Sequence, residues 1–461
     1  MANNIGVRIR SGASDWQIFQ KDSDGKAVIS LEGTYSFSEP QDLGAVLVRV
    51  VSENSQIPVC SENDWTPALT QTDKTWSVKI KVPAGGLYRI ETSLLVKDVV
   101  LEWGLHGDFI HHIGVGDLWV IAGQSNAAGY GRGEVDDGPE LGIHILRNDE
   151  KWDIASHPLN DTRGNNHPNL EFANPGHSPF LNFAKVLKKT LGYPIGLIQT
   201  SLGASPLSQW NPQENPDAPL YRNMLHCIGL SGGKITGVCW YQGCSDTTDI
   251  LCHSYLERFG QFVESTRRDL NQHNLLFLTA QLNRVCGFPN EAMDIAWSTV
   301  REAQRQAAHS LTGVAVIPTI DLPLSDPIHI SPSGNIVLGQ RFAATALGMY
   351  YQRDIPWRFP EICGADARGE KKEVVLSFGN VRHRLHSDLP VVEDFTVEDS
   401  RGRVEVEKVE FAGKEKVILR LTRALEGEAF VHNGFGFTPK TSIYEAISLK
   451  PLLAFYRFRI T

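Results

Sequence analysis

The chain has 461 residues, 41% hydrophobic and 21% charged, which points to two to four globular domains with real cores. A formal net charge of −9 argues against non-specific nucleic-acid binding, which needs a basic face. No apolar run approaches the roughly 20 residues that span a bilayer. The start, MANNIGVRIRSGASDW, has no apolar h-region, so the expectation is a cytoplasmic protein without a membrane partner, secreted only if a leader has been removed.

Residues 1–110 read as all-β. WSVKIKVP alternates Trp76, Val78, Ile80 and Val82 with polar residues, the period of a half-buried strand. Pro83 and Gly85-Gly86 form a turn, LYRIET resumes the alternation, and AVLVRVV at 45–51 is another strand. Such strands and turns suggest a sandwich. Residues 115–352 change character. Apolar runs at 118–122, 195–198, 235–241, 275–280 and 314–317 alternate with amphipathic stretches. In HSPFLNFAKVLKKTLG, Phe180, Ala184, Leu187 and Leu191 recur at helical spacing, with Ser178 and Pro179 at the start and Gly192 at the end. SYLERFGQFVESTRRDL, AWSTVREAQRQAAH and GNIVLGQRFAATALGMYY also read as helices. Strand–helix alternation implies a parallel sheet covered on both faces, a three-layer α/β/α unit. Residues 360–461 return to short strands, RVEVEKVEF and EKVILRL around a hairpin turn at Ala412-Gly413. The expected domains are 1–112, a β-sandwich-like unit; 113–355, the α/β unit; and 356–461, a small β unit that begins near RDIPWRFP, where two prolines end the helical pattern.

The seven cysteines, Cys60, Cys227, Cys239, Cys244, Cys252, Cys286 and Cys363, are odd in number and show neither a CxxC pair nor a Cys/His ligand spacing. They read as free thiols of a reducing compartment. His106, His111 and His112 lack partners at zinc spacing, so no metal is expected.

Ligands of open parallel sheets bind at the carboxyl ends of the strands. Gly123-Gln124-Ser125-Asn126 follows the first run, Thr200 to Ser205 the second, Gln242 to Asp246 the third, and Asp321 with SDPIHISPSG the fifth. Acyl transfer needs a nucleophile, a base, a group orienting the base, and oxyanion donors. Ser125 suits the first role, His329 the second and Asp326 the third. Asp326-Pro-Ile-His329 puts both side chains on one loop, with Asp321 in reserve. The Ser125 and Gly203 N–H groups and the Gln242 amide are candidate oxyanion donors. Each residue also has a plain structural use: Ser125 as a turn former, His329 as a cap for a helix starting near Ser331, Gln242 as a satisfier of buried backbone.

At these positions the sequence resembles the SGNH-hydrolase superfamily, and more narrowly its sialate O-acetylesterase and carbohydrate acetylesterase group. The blocks are GQSNAAG around Ser125, SLGASPLSQW with Gly203, WYQGCSD with Gln242, and the Asp326–His329 pair; REAQ at 301–304 fits too. The resemblance covers about 115–350. It implies an SGNH, flavodoxin-like α/β fold and a cofactor-free serine esterase. Ser125, His329 and Asp326 would form its triad, and Ser125, Gly203 and Gln242 its oxyanion hole. Its substrate would be a small acetylated saccharide, from sialate or a plant polysaccharide. Two positions depart from the pattern. Ala127 replaces a methionine, and Cys244 replaces a glutamate beside the site, which puts polarity and substrate contacts there in question. Gln124, Asn126, Trp210 and Tyr241 are candidate substrate contacts, the two aromatics equally at home in a core.

No G-x-S-x-G elbow is present, which disfavours an α/β-hydrolase. GYGRGE at 129–134 has Glu134 where a dinucleotide loop wants glycine. Two alternatives stay open: a non-catalytic carbohydrate-binding protein on a hydrolase scaffold, and an esterase for another small acyl group. The flanking β units either bind carbohydrate or shape the cleft and a homo-oligomer.

Overall fold

Between His112 and Ile113 the chain changes its burial pattern within a single strand. From Leu105 to His112 exposed, half-buried and buried residues are mixed, and from Ile113 to Gly123 every residue is buried. An alternating pattern suits a sheet with one wet face, and a continuous apolar run suits a strand covered on both faces. The strand Leu105–Gly123 does both jobs. Its first part pairs antiparallel with Gly85–Val96, and its second part runs parallel to Ile195–Gln199 and Gly237–Tyr241.

The computed structural model describes residues 6–37, 43–59, 64–97, 105–161, 163, 167–171 and 175–461. Cys60 lies outside them; the other six cysteines are free. The central sheet runs Trp152–Ile154, Ile143–Leu146, Ile195–Gln199, Leu105–Gly123, Gly237–Tyr241, Leu276–Ala280, Val314–Ile317. All neighbours in this row are parallel except Trp152–Ile154, which is antiparallel to Ile143–Leu146. The sheet is therefore mixed, not purely parallel as expected. Ile143–Leu146 escapes a reading by apolar runs because His144 interrupts it. That ring is fully buried and its Nδ1 lies 2.6 Å from the Trp16 carbonyl.

The helices are α1 (Ser125–Ala128), α2 (Phe180–Leu191), α3 (Pro219–Leu230), α4 (Leu251–Asp269), α5 (Glu291–Ser310) and α6 (Pro332–Met349). Their caps follow from composition. Gly192 takes the left-handed conformation after α2, Asn290 accepts from the Met293 N–H, and Ser331 accepts from the Gly334 N–H. Helix α2 packs on α6, and α4 on α5. None of the described helices is long and apolar enough to cross a membrane.

Three apolar cores follow one another along the chain. In the first, Trp76, Val78, Ile80 and Val82 point inward as their alternation requires. Thr75–Pro83 and Gly85–Val96 lie in different sheets, so the Pro83–Gly85 turn carries the chain across the sandwich and does not close a hairpin. In the last unit RVEVEKVEF splits likewise, Gly402–Val404 into one sheet and Val406–Ala412 into another. That unit is bolted to the central one. The Gln281 amide exchanges two 2.9 Å hydrogen bonds with the Ala454 backbone.

Both ends of the strand's parallel stretch, Asp117 to Gly123, are specified by single residues. At the entry, the fully buried Asp117 carboxylate accepts from Gln20 Nε2, Thr236 Oγ1, Tyr193 Oη and Tyr351 Oη at 2.7–3.0 Å, with the Lys21 ammonium at 3.4 Å. At the exit, Gly123 has φ +124°, and a Cβ there would stand 2.3 Å from the Tyr241 carbonyl oxygen. Only glycine fits, because the backbone conformation and the contact both exclude a side chain. Asp117→Asn, which keeps the shape and removes the charge on which these donors converge, is expected to cost about 2–4 kcal/mol in urea unfolding while sparing turnover at the far end of the strand. Gly123→Ala is expected to cost about 2 kcal/mol or more in the same measurement, from left-handed backbone strain and the clash.

Candidate active site

Beyond Gly123 the chain turns at once into the single-turn helix α1, which begins with Ser125. The Gln124 N–H donates to the Tyr241 carbonyl at 2.8 Å, and the Gly129 N–H closes the turn on the Ser125 carbonyl. Ser125 is partly exposed at this tip, and its N–H, in the first turn, has no helical acceptor.

His329 comes to Ser125 from a loop on the far side of the sequence. Its Nε2 lies 2.8 Å from Ser125 Oγ and its Nδ1 2.7 Å from Asp326 Oδ2. Asp326 Oδ1 accepts the N–H groups of Ile328 and His329 at 2.9 and 2.8 Å. Burial works against the Asp326 charge. The N–H donors and the imidazole outweigh it and hold the carboxyl below its ordinary range. Asp321, the reserve orienting acid, is instead clamped by both terminal nitrogens of Arg341 at 2.8 and 2.6 Å. The cap of α6 is Ser331, which leaves His329 unused in that role.

Two of the expected substrate contacts, Asn126 and Gln124, and one expected oxyanion donor, Gln242, are ties between loops. Asn126 accepts the Ile330 N–H at 3.0 Å and donates to the Ile328 carbonyl at 3.3 Å, bracketing His329. Gln124 donates to Ser245 Oγ and accepts from the Gly243 N–H. Gln242 spends both amide hydrogens, on Asp246 Oδ2 and the Ser205 carbonyl, and accepts from Tyr255 Oη. It is fully buried and has no hydrogen left for an oxyanion. The two aromatics are core residues. Trp210 is sealed, edge-on to Trp240 at 5.2 Å, with its indole N–H on Ser205 Oγ, and Tyr241 is buried with Oη near Thr319 Oγ1. Neither Trp210 nor Tyr241 presents a face to a sugar, nor do the buried Gln124 and Asn126.

Gly203 sits on the loop after Ile195–Gln199, with Ala204 held at φ 55° beside it. Its N–H does not face an empty space. It donates to Glu171 Oε1 at 2.7 Å. Asn160 Nδ2 reaches the same oxygen at 3.0 Å, and Tyr130 Oη donates to Oε2 at 2.7 Å. The Tyr130 ring stacks on His329 with centres 5.0 Å apart. Burial pushes the Glu171 carboxyl above its ordinary range despite these donors. Sequence reasoning missed Glu171 and Tyr130. The first is an isolated acid in an aperiodic stretch, and the second lies in GYGRGE, a segment read only for its glycines.

Asp137, His157 and His177 bring three ligand-type atoms within 4.8 Å of one another. Both imidazole Nε2 atoms point at Asp137 Oδ2, at 3.0 and 3.1 Å, and the Lys185 ammonium lies 2.7 Å from Oδ1. A carboxylate already paired with an ammonium and approached by two imidazole nitrogens is ill suited to a further cation. Cys244, at the glutamate position of the pattern, has its thiol pushed up to about 12 by burial, away from the thiolate form that nucleophilic attack needs.

Known proteins resemble this chain in sequence and in fold. The family model described as carbohydrate esterase, sialic acid-specific acetylesterase covers residues 115–348, half of the chain. A probable carbohydrate esterase of Arabidopsis thaliana is 27% identical over 257 residues, 50% of this chain and 91% of the relative. The crystal structure of a carbohydrate acetylesterase from Xanthomonas citri superposes with a TM-score of 0.69 at 20% identity, over 97% of this chain and 99% of that one. The shared architecture, a central mixed α/β unit with additional β-sheet units, thus extends well beyond the family segment. The chain belongs to the carbohydrate esterase, sialic acid-specific acetylesterase family.

Proposed function

We propose that the protein is a serine esterase that removes O-acetyl groups from a saccharide through an acetyl-enzyme on Ser125. The observation that carries this is the continuous chain Ser125 Oγ–His329 Nε2 and His329 Nδ1–Asp326 Oδ2, at 2.8 and 2.7 Å. His329 accepts the hydroxyl proton as Oγ attacks the acetyl carbonyl. It then returns the proton to the leaving sugar oxygen, and the same imidazole activates the water that releases acetate. Asp326 fixes the tautomer that leaves Nε2 free to accept. The Ser125 N–H is one oxyanion donor, and such donors are typically worth about 10²- to 10³-fold in rate.

The packing of α2 with α6 and of α4 with α5 supports an SGNH-type three-layer domain, one pair on each face of the sheet. The three cores support units at 1–112, 113–355 and 356–461, with the first boundary inside the shared strand. A pure binding protein has no use for an imidazole poised between a carboxylate and a partly exposed hydroxyl, so the binding reading ranks second.

Ser125→Ala is expected to abolish acetate release from acetylated xylan, mannan and sialic acid while its melting temperature stays that of the wild type. Wild-type turnover by this variant ends the proposal. Asp326→Asn is expected to lower kcat by about 10⁴-fold by favouring the wrong tautomer. Acid quenching of the wild type during turnover of an acetyl ester should trap one substrate-derived acetyl group on the peptide containing Ser125, read by mass spectrometry.

A further inference from the structure

The Gly203 N–H is aimed at a carboxylate that belongs to the protein itself. Glu171 Oε1 accepts that N–H at 2.7 Å, and a Cβ built on Gly203 would stand 2.9 Å from Glu171 Oε2 and 3.3 Å from Tyr130 Oη. The carboxylate therefore lies directly against the glycine. Two of its other holders border the reaction centre or its loops. Tyr130 donates to it while stacking on His329, and Asn160 donates to it and to the Ser201 carbonyl. A carboxylate oxygen on a backbone N–H puts negative charge on the donor that an oxyanion would use. The two cannot share the donor, because like charges that close repel strongly. The neighbouring Ala204, a non-glycine residue at φ 55°, marks a loop held in a strained conformation, as anion-binding turns and active sites often are.

We propose that Glu171 is a specificity-determining residue: in the empty enzyme it occupies the Gly203 N–H, and it yields that donor when a free hydroxyl next to the ester offers its carboxylate a new partner. The inference rests on the esterase reading of Ser125. It selects sugar-ring acetates that keep an unesterified neighbouring hydroxyl. Such a hydroxyl replaces the N–H as donor and lets the side chain turn aside. A simple ester has nothing to give Glu171 and must compete with it for Gly203.

The test compares kcat/KM of the wild type and Glu171→Ala on p-nitrophenyl acetate, on a monoacetylated methyl glycoside with a free vicinal hydroxyl, and on the peracetylated glycoside. The expected result is a crossing. Turnover of p-nitrophenyl acetate rises about three- to tenfold, and turnover of the monoacetylated glycoside falls about tenfold, toward that of the peracetylated one. Glu171→Gln keeps the size and a carbonyl acceptor, and is expected to shift the preference in the same direction if the alanine variant loses stability. A parallel loss on all three esters would make Glu171 a strut for the Gly203 loop and overturn the proposal, and so would unchanged preference. Ser125→Ala, run alongside, tests the esterase reading separately: turnover surviving in that variant would fail the reading itself, whatever the Glu171 variants do.

Discussion

A hydrogen bond of 2.8 Å joins Ser125 Oγ to His329 Nε2 across 204 positions of sequence, and its two ends have nothing local in common. A bond that short is made only if both side chains are held to a fraction of an ångström, which loops alone rarely do. The serine end is held by a buried strand and by a glycine that lets the strand stop against the Tyr241 carbonyl. The histidine end is held by its neighbours. The Ile328 carbonyl accepts from both Asn126 and Asn283, and the Ile330 N–H is taken by Asn126. Asn126 is thus a brace between the two ends, fixed to the residue after the nucleophile and to those on either side of the base.

Much of this was legible in the sequence, for a physical reason. Strands covered on both faces must be nearly continuous apolar runs, so the places where the runs stop mark the rim at which Ser125, Gly203 and His329 gather. The Asp326–His329 pair was legible because its contact is local, three residues apart. What failed was the direction of side chains at the strand ends. A strand buried on both faces shows no polar–apolar alternation, so nothing in WYQGCSD says that Tyr241 faces Thr319 or that the Gln242 amide turns back to Asp246. That amide is claimed by a carboxylate four residues on, itself paired with Arg258 of α4 at 2.7 Å, and such a network exists only in three dimensions. Trp210 failed in the same way, since a tryptophan ending a polar loop looks available until Trp240 and Phe262 are seen around it.

The departure at Cys244 has a structural counterpart. Arg301, within REAQ, is completely buried, and no carboxylate pairs with it in the structure described. Its guanidinium donates to the carbonyls of Leu282, Asn283, Gly434 and Gly436 at 2.6–3.2 Å. Burial lowers its pKa to about 10, still far above neutrality, so the cation persists on carbonyl dipoles, with Cys244 near enough to feel its field. Two of those carbonyls belong to the C-terminal β unit. The Arg301 charge is thus satisfied in part by the next unit of the chain, which ties that unit to the helix carrying REAQ.

The site therefore divides into a part built locally and a part that the whole fold must deliver. Asp326, Ile328 and His329 complete the orienting carboxylate within one turn, so the tautomer of the base survives any loosening of the sheet. The serine has no such independence. Its position depends on Gly123 and on the Tyr241 strand against which that glycine stops. The oxyanion side is less settled still, because Gly203 is held by a carboxylate from a third segment that also holds Tyr130 against His329. Any movement of Glu171 is then felt by both the donor and the base.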